Sequence, residues 1–193
     1  MTSTNPPRAP TPTGAAAKKA DGAQEGTVLG KTPDQELRLQ PRWIVFSSED
    51  AYRRNQFCPF TITNTEEHTV IFRIRTRDRT FPMFSHCYGW LEPLQSAEVT
   101  VMLPSADTWP RDPSEFAGRR HKIVVESLQL PEDVQKPADR PQRDALCRRV
   151  FHETATKQPL TRVYVKLSLL LPRLMEGAPA DLNRTATPSV PSI

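Results

Sequence analysis

Residues Val70 to Gly89, VIFRIRTRDRTFPMFSHCYG, decide how this chain reads. Over the first eight, Val70, Phe72, Ile74 and Thr76 fall on one parity and Ile71, Arg73, Arg75 and Arg77 on the other. Successive strand side chains point to opposite faces. The spacing therefore predicts a half-buried strand, with apolar anchors on one side and three guanidinium groups roughly 6.6 Å apart on the other. Such a row is a counter-surface for acidic or phosphorylated ligands, because a guanidinium offers a planar fork of donors that matches carboxylate and phosphate. A merely solvated strand face would carry the same pattern, and exposed charges alone contribute little.

Working outward, the same period recurs. Phe57 to Thr63 places Cys58, Phe60 and Ile62 on one parity and ends in the polar turn Asn64-Thr65-Glu66-Glu67-His68, which leads straight into the arginine strand. So short a link predicts adjacent antiparallel strands. Further upstream, Leu37 and Leu39 alternate into Pro41, and Trp43-Ile44-Val45-Phe46 follows, which reads as two short strands with a kink between them. Downstream, Phe81, Phe84, Tyr88 and Trp90 form a broken aromatic run in which Gly89 is expected to supply a backbone angle that other residues resist. Glu98 to Leu103 and His121 to Leu128 alternate as strands, the latter setting Ile123 and Val125 against Lys122, Val124 and Glu126. Between them Pro104 to Arg119 reads as a long polar insert. Residues 131 to 145 read as a loop, Cys147 to Glu153 as one short helix, and Thr161 to Leu171 as the last and most apolar strand. About seven short strands with almost no helical period predict an all-β sandwich.

Composition bounds the rest. A chain of 193 residues suits one well-buried domain plus tails. Four of the seven glycines fall before residue 31, in a segment rich in Pro, Ala and Thr. Residues 1–35 and 172–193 are accordingly expected to be disordered tails around a domain spanning 36–171. The formal net charge of +4 belongs wholly to residues 37–171, because the charges before residue 37 cancel and so do those after Leu171. That excess is too mild for a nucleic-acid protein but suits a surface with one basic face. Three cysteines, Cys58, Cys87 and Cys147, lack metal-ligand spacing and argue for a reducing compartment. The N-terminus has no apolar core of a signal peptide, and the best apolar run, Val163 to Leu171, is interrupted by Lys166 and is too short to span a bilayer. The expectation is a cytoplasmic protein.

The ordered set of segments resembles the major sperm protein (MSP) domain, shared by nematode sperm cytoskeletal protein and by the VAP family of membrane contact-site adaptors. The resemblance is carried by Leu37-x-Leu39-x-Pro41 with Val45-Phe46, Ile62-x-Asn64, Val70-x-Phe72-Arg73-Ile74-Arg75-Thr76, Val99 to Leu103, His121 to Ser127, and Val150 to Glu153. It covers roughly residues 36–171, and Ser85-His86 stand where the family usually has Arg-Pro. It implies an immunoglobulin-like seven-stranded sandwich. It also implies a non-enzymatic adaptor, without a membrane anchor, that docks short acidic peptides containing aromatic residues. The positions matching the family's basic face are Arg73, Arg75, Thr76, Arg77, Lys122, Val124 and Lys166. Recruitment to endoplasmic reticulum contact sites or the cytoskeleton would then come through partners. The alternative that the resemblance implies is a cytoskeletal protein that self-assembles into dimers or filaments through exposed strand edges.

Catalytic readings are weaker. His68, His86, His121 and His152 are far apart in sequence, and neighbouring His86 and Cys87 would point to opposite faces of a strand. No Gly-rich phosphate loop and no carboxylate pair stand out, so no cofactor, metal or catalytic residue is expected. Arginines near Phe81, Phe84, Tyr88 and Trp90 admit single-stranded RNA stacking, but those rings are read as core, and no specific nucleic acid is expected.

Overall fold

Alternating burial sorts the strands of this chain into two facing sheets, seen in a computed structural model that describes residues 27–78 and 80–174. The first contains β1 (Arg38–Gln40), β3 (Gln56–Thr63), β7 (Ser96–Leu103) and β5 (Met83–Phe84) in the order β1-β3-β7-β5. The second contains β2 (Trp43–Val45), β4 (Val70–Arg75), β6 (Tyr88–Leu91), β8 (Arg119–Gln129) and β9 (Val163–Leu171) in the order β2-β9-β8-β4-β6. The architecture is thus an all-β, immunoglobulin-like sandwich. Its strands exceed the expected seven because two-residue β5 and four-residue β6 interrupt the aromatic run. Pro41, after a cis peptide bond, lies where the chain leaves β1 in one sheet for β2 in the other.

The core between the sheets is built by the parity read from the sequence. Val70, Phe72 and Ile74 of β4, Ile123 and Val125 of β8, and Val165, Leu167 and Leu169 of β9 face Phe60, Ile62, Val99 and Val101 across the sandwich. Asn64 pins the turn into β4: its buried amide donates to the carbonyls of His68 (2.7 Å) and Glu92 (3.0 Å), and its oxygen accepts from the Glu66 N–H. Gly89 serves space, not a special backbone angle: its φ is not positive, and a Cβ there would overlap the Phe72 ring opposite it in register. The polar insert after β7 contributes more core than expected. A 3-10 turn (Ala106–Thr108) and the short α1 (Pro113–Phe116) bury Trp109 and Phe116, which pack with Tyr52, Phe81 and His121.

The largest departure is on the outer face of the second sheet. The helix read over Cys147 to Glu153 is longer at both ends: α2 (Arg140–Lys157) takes in residues 140–145 of the segment read as a loop, and its first turn holds Pro141. Cys147, Val150, Phe151 and Thr154 recur at i, i+3, i+4 and i+7, a stripe too narrow among charged residues to announce the full helix. That stripe packs with Ile71, Trp90, Leu128 and Leu130 into a second core. Ile71, placed by its parity among the arginines, is therefore buried. Residues 27–35, assigned above to the tail, run against this layer. Lys31 pairs with Gln129, and the Gly30 N–H donates to Thr154 Oγ1 at 2.9 Å. The tail expectations for 1–26 and 175–193 lie outside the described residues.

Candidate peptide-docking face

Because α2 covers the β6 side of the outer face, only its β8, β9 and β2 side and the end of β4 remain open. Register assembles side chains there in rows across the strands. One row runs Arg75, Val124, Lys166; the row on one side of it runs Arg73, Glu126, Tyr164; the row on the other side runs Lys122, Ser168, Trp43. The sequence-derived residues thus come together on one sheet face, with Arg77 just beyond the end of β4. They do not play equivalent parts.

Arg73 is held inward. Its Nε and Nη2 both donate to Glu126 Oε2 at 2.6 Å, its guanidinium lies 4.6 Å from the centre of the Phe151 ring, and its side chain is only 19% exposed. Arg75 Nη1 reaches the other carboxylate oxygen at 2.8 Å but stays 54% exposed, and Arg162 Nη1 approaches it at 3.7 Å. Glu126, 8% exposed, is therefore the anion around which three arginines gather. Burial alone would push its carboxyl up. The hydrogen bonds and charges of Arg75 and Arg73 outweigh burial and hold it below the ordinary carboxylate range. Thr76 is half-buried and its hydroxyl donates to the Asp78 carbonyl, which fixes the turn after β4. Lys122, Lys166 and Arg77 are exposed, with no carboxylate at ion-pair distance among the described residues.

Aromatic groups complete the surface. Trp43 is 55% exposed beneath the Arg120 guanidinium (5.2 Å), and Tyr164 is exposed beside Lys166 Nζ (5.3 Å). Half-buried Val124 lies between Arg75 and Lys166 in register. Sequence reasoning missed Glu126 as the partner of Arg73, although Glu126 shares its parity with Lys122 and Val124. It also missed Trp43 and Tyr164, whose place on this face depends on which strands neighbour β8.

The other chemistry stays separate. All three cysteines are free, and burial raises the pKa of each thiol, reinforced by Asp144 at Cys87 and at Cys147, which is pushed up to about 12. Burial, together with Arg140, lowers the His86 pKa, and His86 Nδ1 meets Ser85 Oγ at 3.1 Å. Among the described residues no group of three His, Cys, Asp or Glu side chains is placed to hold a metal, and no helix is long and apolar enough to cross a membrane.

A two-layer β-sandwich whose distinctive chemistry lies on an exposed strand face, with cations around small apolar and aromatic patches, has the form of a binding module. The chain belongs to the major sperm protein domain family: the family model for the MSP (Major sperm protein) domain matches residues 36–144. This is a family of protein-interaction domains. Similar solved structures include two from Caenorhabditis elegans. The MSP family member WR4 is 10% identical, with a TM-score of 0.45 and coverage of 70% of this chain and 96% of that one. The MSP-domain protein SSP-19 is 13% identical, with a TM-score of 0.46 and coverage of 69% and 99%. The ASH/PapD-like domain 7 of human CEP192 is 10% identical, with a TM-score of 0.42 and coverage of 86% and 100%. No curated protein matches the sequence.

Proposed function

We propose that this chain is a non-enzymatic interaction module that docks short acidic segments containing aromatic residues on the open half of the β4–β8–β9 face, as an adaptor. The observation that carries this reading is the register row Arg75, Val124, Lys166, alongside Lys122 and Arg77, which have no carboxylate at ion-pair distance among the described residues. Cations surround an apolar centre, so a ligand needs both negative charge and a ring or aliphatic group. Exposed ion pairs contribute only about 0.2–1 kcal/mol each, whereas a micromolar complex needs about 8 kcal/mol. Contacts with Val124, Tyr164 and Trp43 must therefore supply the larger share. Arg73 acts from below, holding Glu126 and with it the position of Arg75. Thr76 keeps Arg77 at the edge of the face. Residence at endoplasmic reticulum contact sites or on the cytoskeleton would follow from the partner.

The test is a titration of the full chain and of a Lys122→Glu/Lys166→Glu variant with an acidic, Phe-containing peptide. Reversal of two exposed charges should weaken binding about tenfold or more at unchanged fold stability. Equal affinities would remove the proposal. A second reading, self-association through the β2 edge, is favoured by Trp43 and Val45, both more than half exposed on a three-residue edge strand. Sedimentation that finds only monomer at high concentration would exclude it.

A further inference from the structure

Where α2 comes down on the outer face of the second sheet, its last turns leave a gap. A cavity of about 130 Å3 lies between β8, the C-terminal half of α2 and the link into β9. Leu128, Phe151, Ala155, Pro159 and Leu160 wall it, and Arg73 and Glu126 close the side toward the docking row. Ala155, Gln158 and Pro159 are exposed, so its mouth opens to solvent. The polar groups around it are already engaged. Arg73 donates twice to Glu126 Oε2 at 2.6 Å, and Thr154 Oγ1 accepts from the Gly30 N–H at 2.9 Å. At the rim Arg162 is half-exposed and reaches Glu126 only at 3.7 Å, so its side chain can swing aside at little cost.

An open hollow costs stability, because its lining atoms forgo dispersion contacts on one side. What can fill this one follows from size and charge. A cavity of about 150 Å3 lined by aliphatic and aromatic groups holds one benzene, so this slightly smaller one has room for about four carbon atoms. A charged group entering it would lose its water and find both ions already paired. We infer that this cavity takes the aliphatic side chain of a Leu, Ile or Met in a protein segment docked on the β4–β8–β9 face. The occupant follows from continuity along β8, where Glu126 stands between Val124 in the docking row and Leu128 in the cavity wall. Side chains on one face of a strand recur about every 6.6 Å, so the cavity lies about 7–13 Å from Val124, a reach of about two to four residues for an extended segment. The inference therefore rests on the docking face proposed above, and it adds a selection for one side chain that surface charge could not make.

The experiment titrates the full chain with an acidic, Phe-containing peptide flanked by alanines, and with copies in which one alanine at a time is replaced by leucine. At one position leucine should tighten binding about tenfold. Ala155→Leu fills the cavity from its mouth, at a helix position that leucine suits, and should erase that gain while leaving the all-alanine peptide within about twofold. Leu160→Ala enlarges the cavity and should move the preference at that position from leucine to phenylalanine, which a mere loss of stability would not do. Lys166→Glu, which alters the docking row alone, should weaken both peptides and keep their ratio. A nuclear Overhauser effect between the bound leucine methyls and the Phe151 ring, lost in Ala155→Leu, gives a direct readout.

If the alanine peptide binds and no leucine position improves on it, or if the gain survives Ala155→Leu, the cavity assignment is wrong and the docking face stands. Should the leucine gain depend on Ala155 while Lys166→Glu changes neither affinity, the docking row is wrong and the cavity stands. If no peptide binds, both fail. If Ala155→Leu instead turns a dimer into a monomer in sedimentation and leaves every peptide affinity unchanged, the occupant is a second copy of this chain and the assignment to a partner segment is overturned.

Discussion

Replacing Glu126 by glutamine keeps the size of the side chain and removes its charge, leaving Arg73 confined between β8 and the Phe151 ring without its counter-ion. Arg73 gives two of its donors to one carboxylate oxygen, and both side chains are largely shielded, at 19% and 8% exposed. Breaking a fully buried pair costs about 3–5 kcal/mol, and a charge-assisted hydrogen bond contributes about 1.5–3 kcal/mol. Glutamine can still accept one hydrogen bond, and the Phe151 face still attracts the guanidinium, so the lower part of these ranges applies: about 2–3 kcal/mol. Arg75, more than half exposed, adds little to that figure. With a urea slope of about 2 kcal/mol per molar, the unfolding midpoint should fall by about 1–1.5 M.

The pH dependence supplies a second check. The Glu126 carboxyl is held below its ordinary range in the folded protein, so its contribution is complete above the unfolded pKa and is lost as pH falls through the folded one. The gap between wild type and Glu126→Gln should therefore be widest near neutrality and close on acidification. A midpoint change under about 0.25 M at neutral pH, or a gap that does not narrow in acid, would refute the account of Glu126 as the ionic centre of this face.

Three other substitutions probe the framework. Gly89→Ala should destabilise by about 1–3 kcal/mol, because its Cβ must displace the Phe72 ring in a filled core; thermal unfolding at wild-type temperature would show that the ring has room to move. Phe151→Ala should cost about 3 kcal/mol and loosen α2 from Ile71 and Trp90, seen as faster amide exchange in α2 than in β3; uniform exchange would contradict the helix as a separately docked layer. Tyr52→Phe removes a hydroxyl that donates to the Pro172 carbonyl at 2.7 Å and should cost about 1 kcal/mol by urea unfolding, with no change in peptide affinity.

Much of the sandwich was legible because a strand writes its two faces into alternate residues. The parity of Val70, Phe72 and Ile74 matched the core, as did that of Ile123 and Val125. The helix was not legible in the same way. Its buried stripe is four residues wide within an otherwise charged segment, and it faces a sheet that is itself half polar, so neither partner announces the contact. Gly89 was misread for a related reason: a glycine's freedom of angle is a local property, whereas the approach of Phe72 from a neighbouring strand is not.

The sequence by itself determined the sandwich class, the arginine row on β4 and the outward parity of Lys122, Val124 and Lys166, because each depends only on order along one strand. Tertiary structure alone decided which of those cations meet a carboxylate. Opposite Arg73 across the strand pair stands Glu126, opposite Arg75 stands Val124, and α2 lies over the β6 side of the sheet. Strand register and helix packing join residues more than fifty positions apart, and charge neutralisation acts between neighbours in space, so no reading along the chain could assign it.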